Sequence, residues 1–186
     1  MRIIKNELIK ASFIDRPNRF VVECMLEDRH VKAYLPNPGR LWELLSPGET
    51  VLLTENASMA RIPFTVMAVE KDRMPILLHT HLANLVVERL LKKRLIPTFE
   101  GFEIIKREVS FNRNRFDFLL REGRKTVVLE VKNCTLFHNR IAMFPDAVTA
   151  RATRHLRELS ALSDKGIKSA ILFVVNHPYV QCFMPE

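Results

Sequence analysis

No apolar run in this chain approaches the roughly 18 residues that a membrane-spanning helix requires, and Met1-Arg2-Ile3-Ile4-Lys5 leads into no signal-peptide core. A soluble, cytoplasmic protein that meets no membrane is the expectation. Cysteine is scarce. Cys24, Cys134 and Cys182 are an odd set with no short pair and no accompanying histidine spacing, which argues against a disulfide framework and a zinc site and for reduced thiols. Five glycines, ten prolines and no repeat or low-complexity tract exclude a disordered or fibrous chain.

The 186 residues are 47% hydrophobic and 27% charged, enough to bury a core in one domain or two small ones. Lysine and arginine number 29 against 21 acidic residues, a formal charge of +8. Such an excess favours an anionic partner, with nucleic acid the first choice.

From about Ser12 to Glu70 the pattern is short strands and turns. Arg19 to Leu26 reads as a strand, Glu27-Asp28-Arg29 as a turn and His30 to Leu35 as the return strand. Pro36-Asn37-Pro38-Gly39-Arg40 breaks regularity, and Leu41, Trp42, Leu44 and Leu45 form a short helical pattern in which Trp42 is expected in the core. Thr50 to Thr54 and Ile62 to Glu70 add strands. Short strands at this spacing fit a small barrel of the OB type, whose groove takes single-stranded nucleic acid on basic and aromatic side chains. Arg16, Arg19, Phe20, Lys32, Tyr34, Arg40 and Arg61 are the groove candidates.

Asp72-Arg73-Met74-Pro75 reads as the end of this region, with the domain division near residue 80. His79 and His81 lack a third ligand and read as surface residues. Leu82 to Arg94 is an amphipathic helix halted by Pro97, and Glu103 to Phe111 is a strand. Asn133 to Pro145 reads as a loop. A second amphipathic helix runs from about Ala147 to Ser163 with Ala152, Leu156, Leu159 and Leu162 inward, capped by Asp146 or Thr149. Arg151, His155 and Glu158 recur on another side of it. Lys168 to Asn176 reads as a strand buried on both faces.

The centre of the chain is Arg115 to Lys132, two strands about a polar turn. A turn at Gly123-Arg124 pairs Glu122 with Lys125 and sets Asp117 opposite Glu130, with Lys132 on the same face. A turn at Glu122-Gly123 makes the carboxylates diagonal neighbours, and a loop of odd length separates them. Two carboxylates and a lysine on apolar strands are either solvated or coordinate a hard cation, for which Mg²⁺ or Mn²⁺ suits the oxygen donors. Lys132 would then orient or deprotonate a water, or stabilise developing phosphate charge.

The order helix, three strands, helix, strand, with this Asp and Glu-x-Lys, resembles the PD-(D/E)xK nuclease core, although Phe116 stands where that motif's name has proline. A longer resemblance spans nearly the whole chain. Pro36-Asn37-Pro38-Gly39-Arg40, Arg115 to Leu120, Glu130 to Leu136, Phe144 to Thr149 with Arg151, and His155 to Leu159 look like the sugar fermentation stimulation protein family.

That resemblance implies an OB-like domain over residues 1–80, a PD-(D/E)xK restriction-endonuclease-like α/β domain over 81–186, and DNA binding. It implies Asp117, Glu130 and Lys132 as the metal and catalytic triad, with Glu88, and more weakly Glu108, in the place of a helix-borne acid. Asp146, Thr149 and His155 would support the site, and Arg113, Arg115 and Arg151 would join the groove candidates in meeting nucleic acid. Family members generally continue beyond Phe183-x-Pro185 into another helix and strand, which implies a nuclease-like half that is short at its C-terminus. Such a chain is expected as a monomer or homodimer. The implied function is a DNA-binding protein with a Mg²⁺- or Mn²⁺-dependent phosphodiesterase site. Its alternative is a non-catalytic regulator of sugar-metabolism genes that keeps the nuclease fold as a scaffold.

Overall fold

The computed structural model describes residue 4 and residues 6–58, 60–111, 114–145, 150–164 and 166–185, with the backbone alone at 151 and 152. The chain folds into two compact units. The first comprises residues 1–82, 134–147 and 175–186, and the second 83–133 and 148–174. By its contacts, the chain returns to the first unit twice after residue 82, at 134–147 and at 175–186.

In the first unit, β1 (Ile9–Asn18), β2 (Val21–Leu26), β3 (Arg29–Tyr34), β4 (Thr50–Glu55) and β5 (Phe64–Lys71) form a closed barrel. Antiparallel pairing runs β3-β2-β1-β4-β5, and a parallel contact at Ala33↔Phe64 and Tyr34↔Thr65 closes the ring. This is the expected OB barrel. Its core is the inward set Val22, Ala33, Leu35, Val51, Leu53, Val66, Val69, Ile76 and Leu78. The strand β6 (Met74–Leu77) extends the sheet beside β5. Asp72 and Arg73, read from sequence as an ending, are the tight turn of that hairpin, both with positive φ (50° and 62°).

The expected helix at Leu41 to Leu45 is a single turn, closed by the Leu44 and Leu45 amides on the Leu41 carbonyl. Leu41, at φ +59°, and Leu44 are buried, and Trp42 is 71% exposed, the reverse of its expected place. Two leucines fill the space under the barrel, and the intervening Trp42 is turned outward. The stretch Asn133 to Pro145, expected as a loop, carries the hairpin β10 (Leu136–His138) and β11 (Ile141–Phe144), turning at Asn139-Arg140 with φ of 47° and 64°. The later strand β13 (Cys182–Pro185) pairs in parallel with β11, and Phe137 packs on the barrel core.

The second unit is a sheet in the order β12-β9-β8-β7, made of β7 (Glu103–Phe111), β8 (Asn114–Glu122), β9 (Lys125–Cys134) and β12 (Lys168–Val175). The helix α1 (Thr80–Lys92) sets Val87 and Leu91 against Phe118, Leu120, Val127, Leu129 and Val131. The helix α2 (Ala150–Asp164) sets Leu159 and Leu162 against Val109, Phe116 and Val128. Helices thus cover both faces, the α/β layering expected. At the end of α2, Gly166 takes φ +77° while the Gly166 and Ile167 amides bond back to Ser163 and Leu162, a Schellman ending. At the end of α1, Arg94 adopts φ +56° in the same role, so that helix stops before Pro97 without a glycine to signal it.

Two burial expectations are corrected. Leu156 is exposed and His155 is buried in its stead. The strand β12 is half-buried along its length, because it stands at an edge of the described sheet. Among the described residues no helix is long and apolar enough to cross a membrane.

Cys24 and Cys134 are buried and Cys182 is exposed. Burial pushes the Cys24 thiol up to about 11 from an ordinary 9.0. A thiol-alkylating reagent is expected to label Cys182 alone in the native protein at pH 8 and all three cysteines after unfolding, as read by mass spectrometry. The folded thiol keeps its proton to about pH 11 while the unfolded one ionises near 9.0, so across that window the chain loses stability relative to Cys24→Ala.

Candidate functional site

The hairpin of β8 and β9 turns at Gly123-Arg124, with Gly123 at φ +56°, and pairs Glu122 with Lys125. The pairing runs unbroken to Phe118↔Leu129, so the next step along the same register is Asp117 and Glu130. Of the turns the sequence left open, the two-residue Gly123-Arg124 turn is the one present.

The strand β8 turns over at Asp117. Phe116 packs in the α2 layer and Phe118 in the α1 layer, although residues two apart in a regular strand share a face. Across the sheet, Glu108 of β7 adopts φ +50°, and Arg107↔Phe118 and Val109↔Phe116 bracket it, so irregular backbone lies opposite Asp117. Val131 donates its amide to Asp117 Oδ2 at 2.7 Å. Asn84 of α1 donates Nδ2 to Oδ1 at 2.6 Å. Burial raises the Asp117 pKa from its ordinary value and Glu130 adds to the rise; the Val131 amide, Asn84 and Lys132 pull against them.

Glu130 is 5% exposed. Its Oε1 accepts from Lys132 Nζ at 2.5 Å and faces His155 Nδ1 at 3.1 Å. A carboxylate accepts only, so the imidazole is read as donating from Nδ1. The His155 ring also rests against Phe116, with centroids 5.6 Å apart. Glu130 Oε2 is buried with no hydrogen-bond partner among the described residues. Because a buried carboxylate oxygen without a partner is costly, this atom and half-buried Asp117 form a donor set that fits a hard divalent cation. Among the described residues no group of three or more His, Cys, Asp or Glu side chains is assembled for a metal ion.

Asp117, Glu130, Lys132 and His155 are thus brought together. Glu88 is not joined to them. Its carboxylate accepts from Lys92 and Arg107, each at 2.7 Å, and its pKa is held below the ordinary value, first by the Lys92 hydrogen bond. The α1 side chain that reaches Asp117 is Asn84, one turn earlier, which the sequence reading passed over. Glu108 is exposed and pairs with Arg115 at 3.3 Å.

The basic candidates divide. Arg16 donates from its two terminal nitrogens to the carbonyls of Arg19, Asn37, Gly39 and Arg40, and burial, with Arg19 adding, lowers its pKa; it organises the loop. Lys32 lies 3.7 Å from Glu23. Arg19 and Arg61 are exposed, and Arg40 stands over the Trp42 ring at 5.2 Å. Arg113, Asp146, Thr149 and the Arg151 side chain lie outside the described residues.

Two family models match the chain, one described as the SfsA N-terminal OB domain over residues 14–78 and one as the sugar fermentation stimulation protein RE domain over 81–186. A sugar fermentation stimulation protein homolog of Methanothermobacter thermautotrophicus is 39% identical across 99% of this chain and 77% of its own length. One from Caldanaerobacter subterraneus is 34% identical across 99% of this chain and 81% of its own. The solved structure of Pyrococcus furiosus SfsA in complex with Ca²⁺ superposes with a TM-score of 0.91 at 30% identity, covering 100% of this chain and 80% of that one.

Removing His155 leaves Glu130 buried with Lys132 as its one described partner. His155→Phe keeps the ring contact and loses the hydrogen bond, so it is expected to cost about 1.5–3 kcal/mol in a urea unfolding titration. His155→Ala, which also opens a cavity beside Phe116, is expected to cost more.

Proposed function

The chain belongs to the sugar fermentation stimulation protein family, and from that premise we propose a nucleic-acid-binding protein, with DNA as its polymer, whose second unit holds a divalent-cation-dependent phosphodiesterase centre. The observation that carries this reading is the Glu130 carboxylate, buried, with Oε2 lacking a partner among the described residues and Oε1 shared by Lys132 and His155. A purely structural carboxylate in that position would be expected to have both oxygens satisfied. The relative solved with Ca²⁺ supports a divalent site in this fold.

Asp117, Glu130 and the Val131 carbonyl would hold Mg²⁺ or Mn²⁺, hard cations suited to oxygen donors. When bound, such an ion supplies Lewis-acid polarisation of a phosphate oxygen. The chain's own groups do the rest. Val131 N–H and Asn84 fix the Asp117 carboxylate, so that it needs no reorganisation to meet a cation. His155 holds Glu130 from the α2 side. Lys132, tethered to Glu130, keeps a positive charge where a phosphodiester's charge grows and can orient a water for attack. The barrel would guide the strand, with the excess positive charge of the chain drawing in the polymer.

A second reading is favoured by one observation: Asp117 already has both carboxylate oxygens hydrogen-bonded within the protein, as a scaffold would. On that reading the protein is a DNA-binding regulator without catalysis. Its affinity would fall steeply with salt and survive loss of Asp117.

End-labelled single- and double-stranded DNA and RNA, incubated with the protein in Mg²⁺, Mn²⁺ or EDTA, separate the two. Cleavage is expected with metal, absent in EDTA and reduced at least ~100-fold in Asp117→Ala, the order expected on removing a group that stabilises transition-state charge. Intact binding with no cleavage by either protein would establish the regulator.

A further inference from the structure

The barrel carries two exposed pairs that no core uses, Trp42 with Arg40 and Phe20 with Tyr34. Trp42, the chain's one tryptophan, lies open to solvent with the Arg40 guanidinium 5.2 Å from its ring centroid. Phe20 and Tyr34 are 46% and 38% exposed and stack on each other, with centroids 6.5 Å apart and planes inclined by 30°.

One half-buried group ties the two pairs together through their backbone. The Arg16 guanidinium reaches the carbonyl of Arg19, next to Phe20, at 2.8 Å, and the carbonyls of Gly39 and Arg40, beside Trp42, at 2.7 Å each. Its bond to Asn37 O at 3.0 Å adds a fourth carbonyl. Asn37 in turn accepts from the Gly39 amide and donates to Leu78 O at 3.0 Å, fixing the loop to the barrel. Leu41 at φ +59° and the burial of Leu44 complete a turn that holds Trp42 outward. The rings are therefore pre-positioned, and a ligand laid on them would not have to order the backbone beneath.

We propose that Phe20, Tyr34, Trp42 and Arg40 form a base-stacking site for the unpaired bases of a nucleic-acid strand. Every base has a π face that a flat ring accepts regardless of sequence, and a guanidinium over an indole extends the same surface. Exposed Arg19 beside Phe20 supplies charge for the phosphates. A duplex buries its bases against one another, so such a site selects single strands. This site rests on the nucleic-acid reading and is independent of whether the carboxylate centre cuts.

Because Trp42 is the one tryptophan, its emission reports on the site directly. The full chain is titrated in EDTA with a short oligothymidylate, an abasic strand of the same length and a duplex of the same length, following fluorescence and, in parallel, mobility on a gel. The oligothymidylate is expected to quench Trp42, and the abasic strand and the duplex are expected to bind at least ~10-fold more weakly. Trp42→Ala, followed on the gel, is expected to weaken binding of the oligothymidylate about 5- to 150-fold, the equivalent of the roughly 1–3 kcal/mol that stacking supplies per base. Tyr34→Ala should do so without removing the reporter.

Equal affinity for the abasic strand and the oligothymidylate would overturn the proposal. So would strand binding that leaves both Trp42 emission and the affinity of Trp42→Ala unchanged; in that case nucleic-acid binding stands and lies elsewhere. Absence of a salt-sensitive shift with any polymer would overturn this site and the nucleic-acid reading together, whereas absence of cleavage touches neither.

Discussion

A half-buried carboxylate sits in the middle of an apolar hairpin, and the second unit is arranged around it. Asp117 cannot remain there without donors, since a desolvated charge costs several kcal/mol unless it is compensated. The neighbouring strand supplies the Val131 amide and α1 supplies Asn84. To receive both, β8 turns over between Phe116 and Phe118, and β7 accommodates the change with left-handed backbone at Glu108. Glu130 faces the same problem one strand away and answers it through α2, with His155 and Lys132 on a single oxygen. The two helices are thus more than covers on a sheet, because each lends a polar side chain to one acid.

Much of this was legible. The β8–β9 register follows from the alternation of apolar residues and one turn length, and the barrel strands around Val22, Val31, Leu52 and Val66 follow from β-branched runs between polar turns. What escaped has physical reasons. The strands β6 and β13 have four residues each, and each contains proline, too short and too interrupted for a periodic signal. The turns at Asp72-Arg73 and Asn139-Arg140 reach positive φ without glycine, so tertiary pairing supports conformations that the local sequence does not announce. Asn84 is a neutral amide on a helix and carried no flag, whereas Glu88 drew attention as an acid although Lys92 and Arg107 engage it. His155 was expected beside the site through the family resemblance, and only its burial in place of Leu156 went unread. The histidine falls at helical spacing with Leu159 and Leu162, the residues that bury the α2 face.

The excess of basic residues also divides once their partners are visible. Arg16 is committed to carbonyls, Arg107 to Glu88, Arg115 to Glu108 and Lys10 to Glu70. These groups still contribute to the long-range field that attracts a polyanion. Contact with phosphate needs donors that are not already engaged, a smaller set than the composition implies. On the barrel, Arg16 spends its terminal nitrogens on the backbone beside Phe20 and Trp42, whereas Arg40 stands over the Trp42 ring.

The two units are nested in the chain, which has a consequence for how the protein is made. The barrel strands run without interruption from Ile9 to Leu77 and can close as soon as they leave the ribosome. The first unit is nevertheless unfinished at that point. Its strand β11 awaits the parallel partner β13, and the whole of residues 148–174 is synthesised between them. One edge of β11 therefore stays without its partner throughout the synthesis of α2 and β12, an interval in which an unpaired strand is open to association with other chains.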